Sequence, residues 1–317
     1  MNEINDTPAQ NSTPSQESSR SDKVSIGLVI GILAFFFLIF LICMSAVASL
    51  VSGDLVAENG IGVVEIKGAI ESADQTVRTI QDFSDDEQIQ AILIRIDSPG
   101  GSVSASQEMV EAIKSIEKPV VISMGDMAAS GGYYVACAGP KIFANPGTLT
   151  GSIGVISQVM EFKDLMEIIK VKVHTVKTGD LKDSGSPYRE FNETDNAYFT
   201  ALGLEILDQF VTHVSESRQI PKDKVTQLAD GRVWTGREAK SLGLIDELGG
   251  MQAAIAELKT QAGLTGKHTL IYPKKDTDAI LSSLLKDGVT GVADSVRTTA
   301  QQTIQSPESF KFLYVGH

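Results

Sequence analysis

Between residues 60 and 265 the apolar positions follow two rhythms. "GVVEIKGAI", "AILIRIDS", "PVVISMG" and "KIFANPG" are short runs rich in β-branched and aliphatic residues, which predict strands. Between them, "SADQTVRTIQDFSDD" reads as a helix, "SASQEMVEAIKSI" puts Met109, Val110, Ile113 and Ile116 on one helical face, and "GGYYVACAG" makes a short helix. Further on, "EFKDLMEIIK" spaces Phe162, Leu165, Met166 and Ile169 at the helical period, "VKVHTV" alternates like a strand, and "ALGLEILDQFVTHVSESR" is helical. Strand and helix patterns repeating at this length imply crossover units and a largely parallel sheet. Such sheets bind ligands at the carboxyl ends of their strands.

Ahead of this region the pattern changes twice. Residues 1 to 22 are mostly Ser, Thr, Gln, Asn and Pro, too polar to repay the entropy of ordering, and are expected to be a disordered cytoplasmic tail. From residue 24 to 53 there is no charged side chain, and "IGLVIGILAFFFLIFLICMSAVASL" would make a helix of roughly 35 Å, enough to cross a bilayer. Arg20 and Lys23 precede this run and Asp54 and Glu58 follow it, so residues 24 to 52 are expected to be a signal anchor in the cell membrane, with the N-terminus cytoplasmic and the remainder extracytoplasmic. The rival reading is a signal peptide cleaved after Ala48, because Ala46-Val47-Ala48 has the form of a cleavage site; against it, the apolar run is longer than such peptides use.

Composition narrows the chemistry. With 317 residues and a hydrophobic fraction of 42%, the chain has material for a real core. A formal net charge of -13 argues against a nucleic-acid partner, which needs clustered Lys and Arg. Two cysteines, Cys43 and Cys137, make no disulfide framework, and no cluster of His, Cys, Asp and Glu has the spacing of a metal site, so neither metal nor cofactor is expected.

Two glycine-rich loops follow neighbouring strands: "DSPGGSV" and "MAASGGYY". Neither fits a phosphate loop. Read alone, each is a tight turn; read together, they bring backbone N–H groups close to a ligand at a helix start, as an oxyanion hole requires. Ser130 stands between two alanines and two glycines with nothing bulky to shield its oxygen. It reads as an exposed nucleophile or, equally, as a helix N-cap. A serine needs a base, and His174, His213, His268 and His317 all lie outside these loops. A lysine kept neutral by burial is the alternative, and "VKTGDLKDSGSPYRE" offers both Lys177 and Lys182, between which composition does not choose.

"MGDMAASGGYYVACAGPKIFANPGTLTGSIGV", "KTGDLKDSGSPYRE" and "ADGRVWTGREAKSLGLIDELGG" resemble three successive signatures of the signal peptide peptidase A family, in its short form with a single catalytic domain. The resemblance covers residues 60 to about 262. It implies a ClpP/crotonase-like α/β fold of repeated strand-strand-helix units over residues 55 to 265; the transmembrane helix precedes this domain, and an extension over residues 266 to 317, whose tail carries no such match, follows it. It also implies Ser130 as nucleophile, Lys182 as general base, Ser152 as the hydroxyl that orients the lysine, and Gly101 and Gly131 as backbone donors of the oxyanion hole. The activity so implied is a membrane-anchored serine endopeptidase acting on apolar peptides, above all remnant signal peptides, in a ring-like homo-oligomer whose subunits share active sites. Two other classes fit parts of the pattern. A crotonase-fold acyl-CoA enzyme would use similar paired N–H groups, but an exported domain argues against coenzyme A; a catalytically inactive membrane scaffold would keep the loops only as turns.

The terminal "FKFLYVGH" is unusually apolar. It is expected to dock in the substrate groove or to be trimmed by the enzyme, or else to serve as a terminal strand packed on the domain or an assembly contact.

Overall fold

The computed structural model describes residue 31, residues 33–44 and 60–273, and the backbone of 313–315. It divides into two units, residues 1–56 and 57–317. In the first, residues 33–44 are helical, with exposed aliphatic and aromatic side chains. Among the described residues no helix is long and apolar enough to cross a membrane. The N-terminal tail, the two ends of the expected anchor, the cleavage-like Ala46-Val47-Ala48 and residues 274–312 of the extension lie outside the described residues.

The second unit is a mixed α/β fold around a mainly parallel sheet. In chain order its first half comprises β1 (Gly60–Lys67), α1 (Asp74–Asp85), β2 (Ile89–Ser98), β3 (Gly100–Ser102), α2 (Val103–Lys114), β4 (Val120–Ala129), α3 (Gly131–Ala136), β5 (Ile142–Ala144) and β6 (Leu149–Gly151). Then come α4 (Lys163–Ile168), a 3₁₀ turn (Asp180–Asp183), α5 (Glu193–Arg218), α6 (Lys222–Leu228), β7 (Val233–Thr235), α7 (Gly236–Ser241), β8 (Glu247–Leu248), α8 (Met251–Gln261), β9 (Thr269–Ile271) and β10 (Leu313–Val315). The main sheet runs β7-β6-β4-β2-β1-β9, with β5 also on β4 and β8 on β5; only the β6–β7 pair is antiparallel.

Alternate residues along the central strands serve two cores, as the period of a strand requires. Ile92, Ile94 and Ile96 of β2 face the larger core with α1, α2, α3 and the C-terminal half of α5, while Ala91 and Leu93 face a smaller core closed by Ala254, Ile255 and Leu258 of α8. Both faces are covered, so β2 reads as a near-continuous apolar run.

Two expectations fail in one segment. "VKVHTV" forms no strand: residues 171–177 have no regular structure and are exposed, His174 included. The helix around residue 165 exists only as the six-residue α4, and its apolar side is not in the core: Phe162, Leu165 and Ile169 are 38%, 52% and 55% exposed. Val171, Val173, Val176, Leu181 and Tyr188 continue this exposed apolar surface. The helix lies where its period places it, and its apolar face is uncovered among the described residues, because periodicity marks a face to be covered without saying what covers it.

His213 of α5 is buried, its Nε2 is 3.0 Å from the Tyr134 carbonyl oxygen, and desolvation, with the charge of Lys114 second, pushes its pKa down to about 4. The unfolded chain therefore takes up a proton at higher pH than the folded one, and stability is lost as the pH falls from about 6.5 to about 4. The loss attributable to this group is roughly 3 kcal/mol. His213→Gln is expected to flatten that pH dependence in urea unfolding at pH 7 and at about pH 4.5; equal losses in wild type and variant would show that the imidazole is not responsible.

Candidate active site

Ser130 ends β4 and opens α3. Its backbone is at φ 53 and ψ -120, a region that costs a residue with a side chain about 1–3 kcal/mol. The turn is held from both sides: the Ser130 N–H donates to the Gly151 carbonyl at 2.8 Å, and the Ser130 carbonyl accepts from the Tyr134 N–H at 2.8 Å. The Ser130 side chain makes no capping hydrogen bond, and its Oγ is buried without a hydrogen-bond partner among the described residues. Of the two readings open in the sequence, the N-cap is thereby excluded. The surroundings correct the other: the hydroxyl is not bare, because Ser130 is wholly buried where β4, β6 and α3 meet.

The first glycine loop lies against this turn. A Cβ on Gly132 would stand 2.8 Å from the Ser98 carbonyl oxygen, so α3 rests directly on the end of β2. The Ser98 hydroxyl accepts from the Gly100 N–H at 3.0 Å, which turns the chain into β3. Gly101 is bridged to Ile70 on one side, and on the other β3 pairs antiparallel with β10, Tyr314 opposite Gly101 and Val315 opposite Gly100. The C-terminal segment thus lies as an added strand along β3, also in contact with α3. Gly131 follows Ser130, and its N–H stands at the helix entrance ahead of the first intrahelical bond.

Ser152 comes next to Ser130 through the β4–β6 pairing of Ala129 with Gly151. It too has a positive φ, 49°, and its Oγ donates to the Gly231 carbonyl at 3.0 Å. From Ser152 a hollow of about 290 Å³ shares Val155 and Leu207 with a cleft of about 510 Å³ whose walls include Phe191, Phe199 and Leu204.

Lys182 is not part of this cluster. It sits on the 3₁₀ turn, exposed, without a side-chain hydrogen bond or ion pair among the described residues, and the Ser130 Oγ makes no hydrogen bond to it. Lys177, by contrast, is engaged: its Nζ donates to the Asp180 carbonyl at 2.9 Å and pairs with Asp183 at 2.8 Å. Sequence reasoning missed Arg189 and Asp195, which form the other charged centre of this region. Arg189 lies within the quoted lysine motif, and Asp195 closes a capping box with Asn192 at the start of α5, a signature readable in "FNETD".

A serine held on a strained strand-to-helix turn at the carboxyl end of a parallel sheet, beside glycine-rich backbone, defines the class as a serine hydrolase. The comparisons narrow the class. Peptidase family S49 matches residues 112–265, and the Clp protease family matches residues 51–150. A putative protease of Synechocystis is 39% identical over 80% of this chain and 90% of its own, and a putative signal peptide peptidase SppA of Enterococcus faecium is 33% identical over 74% of this chain and 68% of its own. Protease 4 of Salmonella typhi is 35% identical over 74% of this chain but only 37% of its own. The chain belongs to peptidase family S49 and is a serine protease.

Proposed function

We propose that this protein is a membrane-anchored endopeptidase in which Ser130 and Lys182 of neighbouring subunits form a dyad that hydrolyses apolar peptides, remnant signal peptides foremost. The observation that carries the reading is the Ser130 hydroxyl: buried, unpartnered and mounted on strained backbone beside a strand edge that accepts a further strand. A buried polar group left unsatisfied costs about 1–3 kcal/mol, as does the backbone strain, and such costs collect at functional sites.

On this reading the substrate adds as a strand to β3, where β10 now lies. Ser130 Oγ attacks the peptide carbonyl carbon while its proton passes to Lys182 Nζ. The oxyanion accepts hydrogen bonds from the Gly101 and Gly131 N–H groups. The C–N bond then breaks, Nζ returns the proton to the leaving amine, and water, deprotonated by the same lysine, releases the acyl group. Ser152 orients that lysine. Apolar walls at Val155, Phe191, Phe199 and Leu207 suit an apolar side chain.

Assembly of the dyad between subunits is supported by two features of one segment. Lys182 has no side-chain partner among the described residues and makes no hydrogen bond to Ser130, and the same stretch carries the exposed apolar surface from Phe162 to Tyr188. A heterologous contact that covers this surface would bring one subunit's lysine to the next subunit's serine in a closed ring. The uncharged run of residues 24 to 52 supports the anchor and the extracytoplasmic site.

The test is cleavage of a synthetic signal peptide by the full chain and by a chain ending after Pro273. Both are expected to cleave, and the shortened chain several-fold faster at low substrate, because the β3 edge is then free. No cleavage of the peptide by either chain would refute the substrate assignment. Equal rates would show that the tail does not compete with it.

A further inference from the structure

We infer that Arg189 is a positioning residue for the base: it holds the Asp183 carboxylate off the adjacent Lys182, leaving that lysine free to accept a proton. The inference rests on the reading of Lys182 as the base.

Lys182 and Asp183 are neighbours on a four-residue 3₁₀ turn. An exposed ammonium beside a carboxylate ordinarily pairs with it, and the pair keeps the proton on nitrogen. Here the carboxylate is committed elsewhere. Asp183 is only 12% exposed and lies between two cations, Lys177 Nζ at 2.8 Å and Arg189 Nε at 3.2 Å. Hydrogen bonds from Lys177 first and Arg189 second hold its carboxyl below the usual carboxylate range.

Arg189 does more than neutralise. Its Nη2 donates to the Asp183 carbonyl at 3.0 Å and to Asp195 Oδ1 at 2.7 Å, while Nη1 takes the other Asp195 oxygen. Asp195 is 2% exposed and fixed at the first turn of α5, where its Oδ2 accepts from the Asn192 N–H at 3.2 Å. The guanidinium therefore fastens the turn that carries the base to the start of the longest described helix. A planar fork suits two carboxylates at once; a lysine ammonium in its place would reach one.

The charges around this turn balance: Asp183 and Asp195 against Lys177 and Arg189. Nearby, Asp180 shares the turn, Glu190 pairs with Lys163 at 3.5 Å, and Glu161 accepts from the Phe191 N–H at 3.0 Å. Among the described residues no further cation contacts Asp183 or Asp195. Loss of Arg189 leaves Asp183, the neighbour of Lys182, with Lys177 as its one cation and Asp195 with none among the described residues.

The experiment is the pH dependence of kcat, with KM, for the full chain. Arg189→Gln is expected to move the acid limb up by about one pH unit, lowering kcat about tenfold below the limb with KM unchanged. Adding Asp183→Asn to Arg189→Gln should return the limb towards its wild-type position, which a merely structural loss would not do. Should Arg189→Gln fail to fold, Lys177→Gln removes the other neutralising cation and is expected to move the limb the same way. A kcat lowered by one factor at all pH values with the limb unmoved, or a double variant that does not recover, overturns the inference. Lys182→Ala keeps the two readings apart. Retained turnover there removes the base assignment and this inference with it, whereas an inert Lys182→Ala with an unmoved limb in Arg189→Gln removes only the role of Arg189.

Discussion

Ser130→Ala and Lys182→Ala, each assembled from identical subunits, are expected to lose peptide hydrolysis by at least about 10³-fold, and an equal mixture of the two, assembled together, to recover about a quarter of wild-type activity. The recovery follows from geometry. Among the described residues the Ser130 Oγ has no hydrogen-bond partner, and Lys182 is exposed and unpaired. If each site takes its serine from one subunit and its lysine from the next, only neighbours in the order Lys182→Ala then Ser130→Ala restore a complete pair. Neither change should unfold the protein. Removing the Ser130 hydroxyl breaks no hydrogen bond and relieves a buried unsatisfied group, so the unfolding midpoint of Ser130→Ala should equal or exceed that of wild type. Lys182 is exposed and pairs with nothing among the described residues. Hydrolysis by either variant alone would end the dyad; inert variants whose mixture stays inert would place both residues in one subunit's site.

The legible parts of this fold are those whose cover lies close in sequence. β2 and β4 announce themselves as apolar runs, and α2 by Met109, Val110 and Ile113, because the crossover that buries them is built from the same stretch. Ser130 was legible as an unusual serine from its small neighbours, but its burial was not. β6, which accepts the Ser130 N–H through Gly151, arrives from later in the chain. Lys177 and Lys182 look alike in composition, and only the packing separates them, by committing Lys177 to Asp183 and Asp180. Phe162, Leu165 and Ile169 carry a correct helical period whose partner surface is not among the described residues. Arg189 was overlooked for a related reason. An arginine in a polar loop reads as solvated until two carboxylates, one of them in a helix cap, converge on it.

Gly101→Ala is expected to lower kcat/KM by about 10²–10³-fold, the cost of losing one oxyanion donor. The cause is a matter of space. A Cβ at this position would stand 2.2 Å from the Ile70 carbonyl oxygen and 2.6 Å from the Ile70 nitrogen, and both are backbone atoms that no rotamer change moves aside. Ile70 is fixed in turn: its N–H donates to the Gly100 carbonyl at 2.8 Å, and its carbonyl accepts from the Ser102 N–H at 2.7 Å. The alanine methyl therefore pushes β3 away from Ile70 or rotates the Gly101 peptide, and either movement takes the N–H off the place the proposed mechanism gives it. Crowding of this kind costs about 1–3 kcal/mol of stability, so the unfolding midpoint should fall as well. Gly147→Ala is the matched control, because a Cβ there meets nothing within 4 Å; its turnover and midpoint should stay at the wild-type level. A Gly101→Ala enzyme that loses stability yet keeps turnover within about threefold of wild type would show that β3 binds the substrate strand without supplying the oxyanion donor.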